Sequence, residues 1–224
     1  MIKTDDFFDD FSGMSVIWVD DRVVDDSELA QISNFILDNN VSLISVPVSV
    51  TEKIWPWIEN RNIRIFNRFA VDFDDNADVT MSEIARNVND SFRHGANGAQ
   101  IMIKPNELEQ FVNLVMPIKN DLFFDHDLVI ELNIDNVDNA DWVGIFDLLN
   151  RVQANAVMIT AVGDKFDASS DFVGRIYAMF ESWNFDGALH LMFGKNMMRA
   201  SQVLRLAQKM RPAVAEKILV FMPY

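Results

Sequence analysis

The sequence predicts an α/β fold of the (β/α)8 TIM-barrel type: eight parallel strands, the last helix missing, in one domain over residues 1–224. Eight short apolar runs alternate with seven stretches of helical spacing, a unit recurring about every 25 to 30 residues. Strict alternation with helical crossovers implies a parallel sheet covered on its outside. Eight strands within about 205 residues favour a closed barrel over a doubly wound open sheet, the alternative. No repeat, low-complexity tract or linker marks a second domain.

Residues 1–13 read as a lead-in carrying Phe7, Phe8 and Phe11. Ser15 to Asp20 is the first strand, and Asp25 to Asn40 the first helix, with Asp25 and Glu28 as a capping box. Val41 to Val48 is the second strand, followed by a helix over Val50 to Glu59 that Pro56 would bend. Ile63 to Val71 is the third strand. Thr80 and Glu83 form a second capping box for a helix running to Arg93, closed by Gly95. Ala99 to Ile103 is the fourth strand, and Asn106 caps a helix to about Lys119. Leu128 to Ile134 is the fifth strand, and Asn139 to Val152 is amphipathic through Trp142, Ile145, Phe146 and Leu149. Ala156 to Val162 is the sixth strand, ending in the turn Gly163-Asp164-Lys165. A helix over Asp171 to Trp183, a strand over Ala188 to Phe193, a helix from Asn196 to about Met210 and a strand over Lys217 to Phe221 complete the chain.

Half the residues are apolar, enough for a sizeable core. No apolar run reaches the roughly 18 to 20 residues of a membrane span. Cysteine is absent, which excludes disulfides, thiolate metal sites and a cysteine nucleophile. The net charge of −15 argues against nucleic acid and anionic membranes as partners. An N-terminus rich in acids, where a signal peptide carries basic residues, points to a cytoplasmic protein.

Ser82 to Met102 (SEIARNVNDSFRHGANGAQIM), Leu128 to Asp135 (LVIELNID), Val41 to Phe69 and Gln153 to Gly163 (QANAVMITAVG) together resemble the deoxyribose-phosphate aldolase family, class I aldolase barrels, from about Ser15 to the C-terminus. The resemblance implies a Schiff-base lysine inside strand six, where a desolvated or cation-adjacent amine attacks the substrate carbonyl. Aligning Thr160 and Gly163 with the family's Thr and Gly places Ile159 there, which forms no imine. The family's second lysine maps to Phe193, its proton-shuttling Asp to Gln100, and its first-strand acid to Trp18. The family holds phosphate on glycine loops after strands six to eight. Gly163 and Gly194 remain, Lys165 follows the first of them, and Asn196-Met197-Met198 replaces the paired glycines.

The expected role is therefore a catalytically degenerate aldolase-like barrel that binds or interacts. Its ligand would be a small carbonyl or phosphate compound, and a homo-oligomer is one possible partner state. The alternative is a lyase using a relocated lysine, for which Lys165, Lys104 and Lys195 stand at predicted strand ends. Gly163, Lys165, Gly194 and Arg68 are the candidate anion-binding residues; Arg68 shares a face of strand three with Arg64, nearer the mouth, where a salt bridge is its other reading. A second alternative is an Mg²⁺ enzyme built on Asp20, Asp21, Asp72, Asp135 and Asp164 at strand ends. The pattern assigns no residue to a metal and implies no cofactor. His94, His126 and His190 lack metal-ligand spacing. Phe66, Phe69, Phe193, Phe221 and Met222 would make the mouth apolar, which is also what barrel packing requires.

Overall fold

A computed structural model describes residues 16–19, 25–39, 41–59, 61–73, 77–161, 170–194 and 196–223. Strands and helices alternate in chain order: β1 (Val16–Trp18), α1 (Asp26–Asp38), β2 (Leu43–Val46), α2 (Val48–Ile58), β3 (Arg64–Ala70), α3 (Ala77–Arg93), β4 (Gly98–Met102), α4 (Leu108–Val115) and β5 (Asp127–Asn133). Then follow α5 (Trp142–Arg151), β6 (Ala156–Thr160), α6 (Ser170–Glu181), β7 (Ala188–Met192), α7 (Met197–Met210), β8 (Ile218–Val220) and β9 (Met222–Pro223). Every pairing is parallel, in the order β8-β7-β6-β5-β4-β3-β2-β1-β9, so each helix is a crossover between neighbouring strands. This is an α/β, TIM-barrel-like sheet.

Side chains alternate across the sheet with a period of two. On the outer face, Ile44 and Ile65 pack with Ile32, Ile36, Ile54 and Ile58 of α1 and α2. Ile101, Ile130, Val157 and Leu191 pack outward with Phe111, Trp142, Phe146 and Phe180 of the later helices. On the concave face, Leu43, Phe66, Val129, Ala156, Met158, Met192 and Phe221 form a separate apolar cluster. Burying each such large side chain contributes roughly 1.5 to 3 kcal/mol, so both faces hold the sheet.

Local chemistry sets the helix ends. Asp25 caps α1 by accepting from the Glu28 N–H at 2.8 Å, and Asn196 caps α7 by accepting from the Arg199 N–H at 3.3 Å. Gly95 ends α3 with φ +103°, and a Cβ there would lie 2.8 Å from the Trp55 ring. Asn67, on the outer face of β3, is buried against Thr51 of α2 (3.0 Å) and Ser91 of α3 (2.5 Å), tying two helices to one strand. The helix α2 runs through Pro56 in its last turn.

Four expected boundaries change. The helix α3 begins at Ala77, so Thr80 already lies inside the first turns and cannot be the N-cap of a Thr80–Glu83 box. Asn106 sits inside a 3-10 turn, Pro105–Glu107, and caps nothing; Pro105 suits that turn because its missing N–H would be unpaired anyway. The helix after it stops at Val115, and a one-turn helix follows at Lys119–Leu122. The last strand is split at Phe221: Ile218–Val220 pairs with β7, and Met222–Pro223 pairs with β1. The lead-in 1–13 lies outside the described residues.

Candidate active site at the barrel mouth

The concave face is apolar in its depth and polar toward the strand C-termini. Register places Arg68 of β3 beside Gln100 of β4, and Met102 of β4 beside Glu131 of β5. Glu131 is 1% exposed. A carboxylate that deep must be paired, because an uncompensated buried charge costs several kcal/mol. Arg68 supplies the pairing, with Nε donating to Oε2 at 3.2 Å and Nη2 to Oε1 at 3.0 Å. Gln100 Nε2 donates to Oε2 at 2.6 Å, and Ser45 Oγ donates to Gln100 Oε1 at 3.1 Å. The chain Ser45–Gln100–Glu131–Arg68 thus spans β2 to β5, and its guanidinium end faces the mouth.

Above it opens a cavity of about 550 Å³. Arg68, Asp72, Lys104, Glu131, Asn133, Asn136 and Thr160 form its polar lining, and Met102, Met192, Phe193 and Gly194 are among the rest. That volume suits a small molecule. Lys104 Nζ lies 2.5 Å from Asp72 Oδ1 and 3.3 Å from Glu107 Oε1. Hydrogen bonds to Asp72 and then Glu107 hold its ammonium above the usual lysine range. An amine that attacks a carbonyl needs the opposite shift.

Deeper on the same face, His190 of β7 lies with its ring 5.4 Å from that of Phe221, and its Nδ1 is buried without a partner among the described residues. Burial, and secondarily the charge of Arg64, push this imidazole down to about 3. At the N-terminal ends of β3 and β5 Arg64 pairs with Asp127 at 2.6 Å and lies 5.2 Å over the Phe66 ring.

The expected site residues fall into three groups. Arg68, Lys104 and Gly194 line the cavity; Arg68 makes the salt bridge that was its alternative reading, and Gly194 has φ +56°. Gly163, Lys165 and Lys195 lie outside the described residues, as do Asp20, Asp21 and Asp164. The third group is Ile159, the position aligned above with the family's lysine. It belongs to the outer cluster packed against the helices, whereas Met158 lies in the concave cluster and Thr160 lines the cavity. A one-residue shift in a strand exchanges its faces, so Met158 and Thr160 lie on the concave side and Ile159 on the helix side. Phe193 likewise packs outward, edge-on to Phe172 of α6 at 5.6 Å, while also bordering the cavity. Of the apolar residues expected at the mouth, Phe193 borders the cavity, whereas Phe66, Phe69, Phe221 and Met222 do not line it; Met102 and Met192 do. Among the described residues no group of three or more His, Asp or Glu side chains is placed to hold a metal.

Sequence reasoning missed Glu131. Its signal was present: a single acid on the inward parity of an otherwise apolar strand, LVIELN.

Neither a protein-family model nor a curated protein sequence matches the chain. Solved structures do. A tetrameric deoxyribose phosphate aldolase from Aeropyrum pernix superposes with a TM-score of 0.66 at 8% identity, over 99% of this chain and 94% of that one. A Toxoplasma gondii ME49 protein assigned as a deoxyribose-phosphate aldolase gives 0.70 at 11%, over 99% and 93%. A phosphoenolpyruvate phosphomutase from Streptomyces platensis gives 0.61 at 8%, over 97% and 79%. At such identities the likeness is one of fold alone: the α/β, TIM-barrel-like fold described above is similar to that of these deoxyribose-phosphate aldolases and of the phosphomutase.

Proposed function

We propose that this chain is a single-domain (β/α)8 barrel, closed by its split last strand, whose mouth binds a small molecule without forming an imine. One observation carries the reading: none of the strands β1 to β9 contains a lysine, so no alignment register can supply an amine from a strand. A Schiff base would have to come from a loop. Of the loop candidates, Lys104 is held protonated by Asp72 and Glu107, which supports binding over nucleophilic attack. The saturated Glu131 carboxylate acts in this reading as the anchor that orients Arg68. A cytoplasmic setting and self-association belong to the same proposal. The tetrameric Aeropyrum aldolase supports the latter, and light scattering on the purified chain tests it.

Borohydride reduction in the presence of small aldehydes and sugar phosphates, read by intact-protein mass, tests the central point. The expected result is no adduct on folded protein. A single reduced adduct mapping to Lys104, Lys165 or Lys195 refutes the reading and establishes the lyase alternative.

A further inference from the structure

The described charges of the mouth are already paired with one another. Arg68 is taken by Glu131, and Lys104 by Asp72 and Glu107. Three carboxylates therefore meet two cations, within a chain of net charge −15. A phosphate or carboxylate entering here finds its natural cations engaged and two carboxylates in the lining. An ammonium compound would meet lining carboxylates that each already hold a cation, so its gain is confined to the field of the one surplus carboxylate.

Among the described residues, what remains is a set of uncharged donors and acceptors beside apolar surface. Asn133 accepts the Asp135 N–H on its Oδ1 at 2.9 Å, which turns its amide hydrogens into the donors it can offer. Thr160 donates its hydroxyl hydrogen toward the Leu132 carbonyl at 3.4 Å, leaving its oxygen lone pairs to accept. Met102, Met192 and Phe193 supply the apolar side, and Met102 is 42% exposed. Hydroxyl groups donate and accept at once, and a sugar ring or polyol chain offers C–H surface between them. From this we infer that the mouth takes an uncharged polyhydroxylated molecule, a sugar or polyol without phosphate or carboxylate. The inference rests on the mouth being a binding site, as proposed above.

Titration calorimetry and thermal shift on the full chain test it, with ribitol, D-ribose, D-ribose 5-phosphate and inorganic phosphate as probes. Three variants accompany them: Asn133→Leu, Thr160→Val, and Met102→Trp, which fills the mouth from an exposed position and spares the core. At least one neutral probe should bind about tenfold or more tightly than D-ribose 5-phosphate, and each variant should weaken it about fivefold or more. Should the phosphorylated sugar bind more tightly and be lost in Met102→Trp, the ligand class is overturned while the mouth stands as a site. Neutral binding indifferent to all three variants overturns the mouth itself. Absence of binding by both neutral probes, with the protein shown folded, overturns the inference and leaves the borohydride test of the mouth unaffected.

Discussion

Replacing His190 by leucine should change how the stability of this chain responds to acid. The imidazole is 5% exposed on the concave face, and its burial depresses the folded value to about 3, against about 6.5 in the unfolded chain. Between those values the unfolded chain binds a proton that the folded chain refuses. Stability from this group is therefore complete above about pH 6.5 and is lost as pH falls toward 3. From about pH 7 to about pH 5 the wild type loses about 2 kcal/mol through His190 alone, at 1.36 kcal/mol for each of about 1.5 units. Leucine removes that loss. It also removes the unpartnered Nδ1, so the variant should at least match the wild type at neutral pH. Urea denaturation of both proteins across this range reads the difference, in which the many titrating carboxylates cancel. The variant should lose about 2 kcal/mol less than the wild type. Equal losses in the two proteins would refute the claim that His190 is buried and uncharged.

Arg68→Leu strands Glu131 in the concave face and should cost about 3 to 5 kcal/mol; adding Glu131→Leu should recover much of it, measured as a double-mutant cycle in urea. Gly95→Ala places a Cβ against Trp55 at a backbone angle that L residues rarely adopt, and should cost about 1 to 3 kcal/mol by thermal melting. A cost near zero would show that the end of α3 is not packed on α2 as described.

The architecture was readable because it depends on local rules. Apolar runs such as Ala156 to Val162 and helical spacing such as Trp142-Ile145-Phe146-Leu149 repeat in order, and side-chain caps such as Asp25 act within a few residues. Where two local signals competed, the chain alone was misleading: Thr80–Glu83 has the letters of a capping box, yet α3 had already begun at Ala77. Site geometry was readable only by parity. Arg68, Lys104 and Gly194 could be placed near strand ends by counting, but Ile159 shows how a single residue of register reverses inward and outward. The pairing of Arg68 with Glu131 spans 63 positions, and that of Lys104 with Asp72 spans 32. No local pattern encodes such pairs; they exist because parallel strands bring distant residues side by side. The sequence by itself determined that the chain alternates strand and helix, whereas the start of β8 at Ile218, which leaves Lys217 outside the strand, was decided by the structure. Only the tertiary structure decided which charges of the mouth cancel, because cancellation is a matter of distances that folding creates.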